Sequence, residues 1–201
     1  MQSLEGYLND LASEKPTPGG GSAAILVAAC GAALVSMVAR ICAANPKYTS
    51  HGALSADLIA QADRLRTELL AARPLDEAAF QNVIASGALP KASESQRALR
   101  SAALERALDA AACEPLSAAQ KALAVLRAAQ RLLEIPNRSL RSDIGCAAEF
   151  ARAAVSACAY NVRINHAYMK DSARIAAQAR DLEAVEAEAA SLHEAIRSAL
   201  A

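Results

Sequence analysis

Apolar residues recur along this chain three and four positions apart, the spacing of one face of a helix, from Leu4 to Leu200. Leu4, Tyr7, Leu8 and Leu11 follow a possible cap at Ser3 and predict a short first helix that ends before Lys15. From Ser22 to about Ala44 the pattern is apolar on every side, which predicts a central helix enclosed by other helices or by a second subunit. Asn45-Pro46 stops it, because proline lacks an N–H and disfavours helical geometry in the residue before it. A third helix from about Ser55 to Arg73 carries Leu58, Ile59, Leu65, Leu69 and Leu70 on one side, and Pro74 is expected to break or kink it. Asp76 to Ser86 resumes with Phe80, Val83 and Ile84 expected inward, and Gly87 marks the end.

Leu89-Pro90-Lys91-Ala92 reads as a loop, and helical periodicity returns from Glu94 through Leu99, Leu104 and Leu108. Pro115 is expected to interrupt that helix before Leu116 to Leu133 continues it. After a break at Ile135-Pro136-Asn137-Arg138-Ser139, two further helices are expected, about Asp143 to Asn165 and Asp171 to Leu200. Strand-like alternation and solenoid periods are both missing from the sequence. The expected fold is therefore all-α, a multi-helix bundle around an apolar central helix, in a single domain over residues 1–201.

Composition narrows the function classes. Hydrophobic residues make up 54% and aromatics only 3%, so small aliphatic side chains dominate and the helices are expected to pack closely. Lys plus Arg and Asp plus Glu are each 21, so no general basic field favours nucleic acid. Cys30, Cys42, Cys113, Cys146 and Cys158 form no CxxC pair, are odd in number and follow no secretory signal. They are expected to be reduced, mostly buried thiols of a cytoplasmic protein. No charge occurs from Ser22 to Ala39, at the lower edge of membrane-spanning length. The Ala, Gly and Ser content and the missing aromatic belt favour a buried core helix over a membrane span.

The candidate chemistry starts at Lys15-Pro16-Thr17-Pro18-Gly19-Gly20-Gly21-Ser22. Two prolines stiffen this approach, the glycines let the backbone bend, and Ser22 is placed to cap the following helix, leaving an N-terminus open to an anion, a carbonyl or a carboxylate. Gly19-x-Gly21-x-x-Ala24 formally matches the dinucleotide fingerprint, but a helix rather than a strand precedes it and no acidic residue lies near Ala43 to Pro46. A P-loop needs Lys followed by Ser or Thr after its last glycine, and Ser22-Ala23 stands there.

Asp76 has two readings, a cap of the helix after Pro74 or a carboxylate beside an apolar pocket with its proton affinity raised for proton transfer. Asn137 and Asp143 likewise read as caps or as polar groups facing a shared cleft. Lys47-Tyr48 reads as a pair at a helix C-terminus or as a contact for an anionic tail. His51, His166 and His193 lie far apart without metal-ligand spacing, so no metal site is expected.

In order along the chain, KPTPGGGS at 15–22, the run 31–38, Lys47-Tyr48, Asp76-x-x-Ala79-Phe80, Leu89-Pro90-Lys91, Asn137 with Ser142-Asp143, and Asn161-Val162-Arg163-Ile164-Asn165 resemble one family. It is the cyclodeaminase/cyclohydrolase family of folate one-carbon metabolism. The resemblance implies an all-helical homodimer with a folate pocket near the subunit interface. It implies an enzyme that hydrolyses 5,10-methenyltetrahydrofolate or cyclises formiminotetrahydrofolate with loss of ammonia, with no cofactor, no membrane and no nucleic acid. By motif match Asp76 carries the proton, and Gly19, Gly20, Gly21, Ser22, Lys47, Tyr48, Asn137 and Asp143 belong to the pocket or interface. The chain departs from the family pattern at Pro136, at Pro74-Leu75 and at Asn45-Pro46. Those departures motivate an alternative, a non-catalytic folate-binding or helical interaction module that kept the scaffold.

Overall fold

In the computed structural model, which describes residues 3–201, six α-helices form one bundle: α1 Leu4–Leu11, α2 Gly20–Ala44, α3 Gly52–Gly87, α4 Glu94–Leu132, α5 Arg141–His166 and α6 Ser172–Leu200. Two short 3-10 turns, Pro46–His51 and Arg138–Leu140, join α2 to α3 and lead into α5. No strand occurs among the described residues, so the all-α expectation agrees with the structure.

Helix α2 is the axis of the molecule, packed against α3, α4 and α5, while α6 closes over α4 and α5. Its small residues make this possible. A Cβ on Gly31 would lie 3.2 Å from the Ala147 carbonyl oxygen and 3.4 Å from Val125, so the α2 and α5 backbones meet where no side chain intervenes. Ala28, Ala32, Val35 and Ala39 continue the buried face beside Leu58, Leu69, Leu126 and Val155. By length and composition α2 also qualifies to cross a membrane; in the bundle most of that stretch is enclosed by its neighbours. One stripe of it, through Val27, Cys30, Met37 and Ile41, remains uncovered.

Several expectations are corrected. Pro74 and Pro115 do not end helices: α3 and α4 run through both. Each proline removes one backbone donor and frees the carbonyl four residues earlier. At Pro74 the surroundings are exposed, so water can take that carbonyl; at Pro115 the freed Ala111 oxygen accepts from Asn165 Nδ2 at 3.0 Å. Ser22 is not a cap, because α2 starts at Gly20 with Gly19 in the cap position. Asp76 lies inside α3 and caps nothing, which removes the capping reading for that residue. Phe80 and Ile84 are not inward but 43% and 46% exposed. The thiols are free, yet only Cys42 and Cys158 are buried.

Candidate active site

The sequence brings Asp76 to the start of α2 by making room for it. A Cβ on Gly21 would lie 2.6 Å from both carboxylate oxygens of Asp76, so a side chain there would push the carboxylate out of its place against the start of α2. Gly20 is less constrained, with its nearest neighbour, Asn161 Nδ2, at 3.9 Å, and Gly19 has nothing within 4 Å. The Ser22 backbone N–H, one of the orphan donors of the helix N-terminus, hydrogen-bonds the Asp76 carboxylate. The helix end thus receives an anion, as its dipole favours, and the anion is a side chain of the same chain.

Burial nevertheless dominates. It pushes the Asp76 carboxyl up to about 6, helped by the neighbouring charges of Glu77 and Glu114 and opposed by the Ser22 N–H. Cys158, buried behind it, is pushed up to about 12 by burial and by the Asp76 charge, so it stays a neutral thiol. Glu77 is held by Ser22, whose hydroxyl donates to Oε1 at 2.6 Å. Because that proton is committed to Glu77, the Tyr7 hydroxyl is the donor in its 3.1 Å contact with Ser22 Oγ. Arg73 sits 4.5 Å over the Tyr7 ring, which fastens α1 to α3 beside the site.

These groups border a cleft of about 180 Å³ formed by the Pro16–Gly21 approach, Asp76, Glu77, Phe80, Ala111, Asn161 and Asn165. The two asparagines lie one helical turn apart on α5. Asn161 Nδ2 donates to the Ala157 carbonyl at 2.8 Å, and Asn165 Nδ2 donates to Ala111 and to the Asn161 carbonyl at 3.0 and 2.8 Å. The Asn165 amino group is thereby fully committed and Asn161 keeps one N–H, so a ligand meets two Oδ1 acceptors and one amide donor here. Beyond Phe80 and the asparagines the cleft opens into an apolar hollow of about 330 Å³ walled by Val83, Leu104, Leu108, Ile164 and Tyr168. The arrangement suits a flat heterocycle with a positively charged or polarised carbon near Asp76.

Of the residues singled out in the sequence, Gly19, Gly20, Gly21 and Asp76 line this cleft, and Ser22 lies behind it as the link between Tyr7 and Glu77. Lys47, Tyr48, Asn137 and Asp143 do not join them within one chain. They cluster at the other end of α2, about 36 Å away by the rise of 25 residues. There Asn137 is buried and accepts from Ser139 N at 3.1 Å while its Nδ2 approaches Cys42 Sγ at 3.4 Å, tying the 135–140 turn to α2. Tyr48 packs on the core, Lys47 is exposed, and Asp143 stands in the first turn of α5.

Glu77 and Glu114 escaped the sequence reading, Tyr7 was read only as part of the first helix and Cys158 only as a buried thiol, and Asn161 and Asn165 had no role assigned. The signals were the adjacent carboxylates Asp76-Glu77 and the i, i+4 asparagines on an apolar helix. Among the described residues no cluster of His, Cys, Asp and Glu has the makings of a metal site.

A profile of the formiminotransferase-cyclodeaminase family matches residues 3–184. The chain is 34% identical over 195 residues to a methenyltetrahydrofolate cyclohydrolase of Methylorubrum extorquens, covering 97% of this chain and 94% of that protein. It is 31% identical over 169 residues to the mouse formimidoyltransferase-cyclodeaminase, of which it spans 31%. The crystal structure of a formiminotetrahydrofolate cyclodeaminase from Thermotoga maritima superposes with a TM-score of 0.89 at 26% identity, covering 98% of this chain and 95% of that one.

Proposed function

The chain belongs to the formiminotransferase-cyclodeaminase family, and on that premise we propose that it hydrolyses 5,10-methenyltetrahydrofolate to the 10-formyl compound, with Asp76 carrying the proton. The observation that carries this reading is the half-buried Asp76 carboxyl, raised to about 6 and poised at the mouth of a cleft with two further carboxylates near it. The substrate is a cation, its charge shared across the amidinium N5–C–N10, and an acidic cleft favours it electrostatically. Asp76 as carboxylate accepts a proton while water adds to the amidinium carbon. It returns that proton to N5 as the C–N5 bond breaks. The hydroxyl on the former amidinium carbon loses its own proton to solvent, so the formyl group forms and one proton is released overall. Glu77, fixed by Ser22 and Tyr7, keeps negative charge beside Asp76 and so keeps its proton affinity high.

The full-length likeness to a cyclohydrolase favours hydrolysis; the structural likeness to a cyclodeaminase favours the second reading, closure of formiminotetrahydrofolate with loss of ammonia. Both pass through a tetrahedral carbon bonded to two nitrogens, and one carboxyl serves both. Loss of methenyltetrahydrofolate absorbance above the buffer rate supports the first, and ammonia release from the formimino compound supports the second. If neither substrate turns over faster than buffer, and Asp76→Asn changes nothing, the enzyme reading fails in favour of the binding module.

The uncovered stripe of α2 supports a homodimer. A two-fold axis perpendicular to the helix direction would set two such stripes antiparallel, with the Lys47–Tyr48 end of one beside the Gly19–Ser22 end of the other. This would bring the two groups of family-matched residues to one interface. Met37→Asp is expected to give monomers by light scattering; a variant that remains dimeric refutes this face.

A further inference from the structure

We propose that Tyr7 is a positioning residue for the acidic end of the cleft: the face of its ring holds the Arg73 guanidinium away from Glu77, so that no cation neutralises the carboxylate beside Asp76. The consequence for turnover rests on the reaction proposed above, whereas the arrangement of charges does not.

Arg73 and Glu77 stand four residues apart on α3, the spacing at which opposite charges on a helix ordinarily meet. Earlier on the same helix Arg64 and Glu68 have that spacing in the same order, and they pair at 3.8 Å. Arg40, Arg127, Arg131, Arg163 and Arg174 meet carboxylates as well. Arg73 does not follow them. Its guanidinium carbon lies 4.5 Å from the centroid of the Tyr7 ring, and Glu77 takes its hydrogen bond from a neutral donor, the Ser22 hydroxyl, at 2.6 Å. The attraction of a guanidinium to a ring face is at least as large as that of a solvated i, i+4 ion pair, so the ring wins the competition.

The ring is fixed for this task. Tyr7 is the buried residue of α1, and every other residue of that helix is exposed or half-buried, so this side chain is what α1 contributes to the core. Its hydroxyl donates to Ser22 Oγ at 3.1 Å. The ring is therefore pinned by its tip to the start of α2 and by its face to α3.

The titratable and charged groups near Asp76 are Glu77 and Arg73 on its own helix, Glu114 from α4 and Cys158 from α5, while α2 offers the Ser22 N–H. The lining of the cleft includes no lysine, arginine or histidine. With Arg73 parked on Tyr7, the field of Glu77 and Glu114 acts on Asp76 uncancelled, which raises its proton affinity and favours a cation in the cleft. Without the ring, Arg73 is free to pair with Glu77, and part of that field is lost.

The test follows the Asp76 side-chain carboxyl by 13C NMR through a pH titration of the ligand-free protein, its resonance assigned by its loss in Asp76→Asn. Tyr7→Leu and Tyr7→Met remove the ring face by two different shapes, and circular dichroism shows which of them keep the helical fold. Either is expected to lower the titration midpoint by about 0.5–1 pH, the effect of pairing off a charge a few ångströms away in a half-solvated site. Adding Arg73→Gln to the same variant is expected to restore the midpoint, because the cation that cancelled Glu77 is gone. Arg73→Gln alone is expected to leave it within about 0.2 pH of the wild type, since a cation held at the ring is screened from Asp76. Tyr7→Phe keeps the face and is expected to shift the midpoint by less than about half as much as Tyr7→Leu. In turnover of methenyltetrahydrofolate, the acid limb of kcat/KM is expected to move with the midpoint in each variant.

A midpoint unmoved in a folded ring-less variant, a drop that Arg73→Gln fails to reverse, an equal drop in Tyr7→Phe, or a rise in Arg73→Gln alone as large as that drop overturns the proposal. The expected pattern of midpoints without any folate turnover would uphold the role of Tyr7 and sink the proposed reaction. Turnover with midpoints that ignore Tyr7 and Arg73 would do the reverse.

Discussion

Asp76→Asn is expected to make the protein more stable while removing most of its activity. The carboxyl rises from an ordinary value of 3.8 to about 6 in the folded chain. At about 1.4 kcal/mol for each tenfold change in proton affinity, the ceiling on the linked free energy is about 3 kcal/mol. Asp76 is only half-buried, and solvent screening reduces this to about 1–2 kcal/mol. The sign follows from the direction: the folded state holds the proton more tightly, so the stability that the protonated carboxyl confers is complete below pH 3.8 and lost as pH rises through 6. Asparagine is neutral throughout and its Oδ1 can still accept the Ser22 N–H.

The variant should therefore match the wild type near pH 4 and exceed it by about 1–2 kcal/mol at pH 8, a rise in Tm of roughly 2–8 °C for a chain of this size. Urea titrations at pH 4, 5, 6.5 and 8 measure the gap. Turnover should drop by about 10²–10⁴, the contribution expected of a positioned proton carrier. A variant less stable than the wild type at pH 8, or a gap that does not change with pH, refutes the claim that a buried charge is being held there for function.

Three further outcomes follow from the same geometry. The rate at subsaturating substrate should fall below an apparent pKa of about 6, as Asp76 becomes protonated, and Glu77→Gln should move that limb to lower pH by removing a neighbouring negative charge; a limb that stays in place refutes the coupling. Gly21→Ala should cost at least tenfold in kcat/KM because its Cβ needs the space of the Asp76 oxygens, while Gly20→Ala, with 3.9 Å of clearance, should stay within about threefold; equal effects would refute the steric argument. Gly31→Ala should lower stability by about 1–3 kcal/mol in thermal melts, since the Ala147 carbonyl stands 3.2 Å from the added carbon and belongs to a backbone that cannot yield; an unchanged Tm refutes the tight crossing.

The helices were legible because each core face repeats at helical spacing, and the bundle class followed from the missing strand pattern. Pro74 and Pro115 were misread as breaks because a proline's cost depends on who satisfies the freed carbonyl. Asn165 does so for Ala111, a contact made 54 residues away that no local window contains. The site was legible where chemistry and sequence coincide, at Gly21 and Asp76, but not where it depends on packing. Glu77 drew no reading from the sequence, because what marks it is the Ser22 hydroxyl that donates to it and the Tyr7 contact behind, both made only by folding. Lys47 was legible as lying past the C-terminal end of the central helix, but nothing local shows that Asn137, 95 residues after Cys42, shares that end through its contact with the Cys42 thiol.

Asp76 sits about three turns before the end of an unbroken helix, with Pro74 before it and Phe80 one turn on. Its direction is therefore fixed by helical phase and not by the course of a loop. Deleting one residue between Leu70 and Leu75 would swing the carboxyl by about 100° around the α3 axis, out of register with Gly21 and toward solvent. The same deletion in the 88–93 connection would leave that phase untouched. Length variation in descendants of this chain is thus expected to accumulate in the connections and to be excluded from α3 ahead of Asp76, a constraint on indels that no single substitution would reveal.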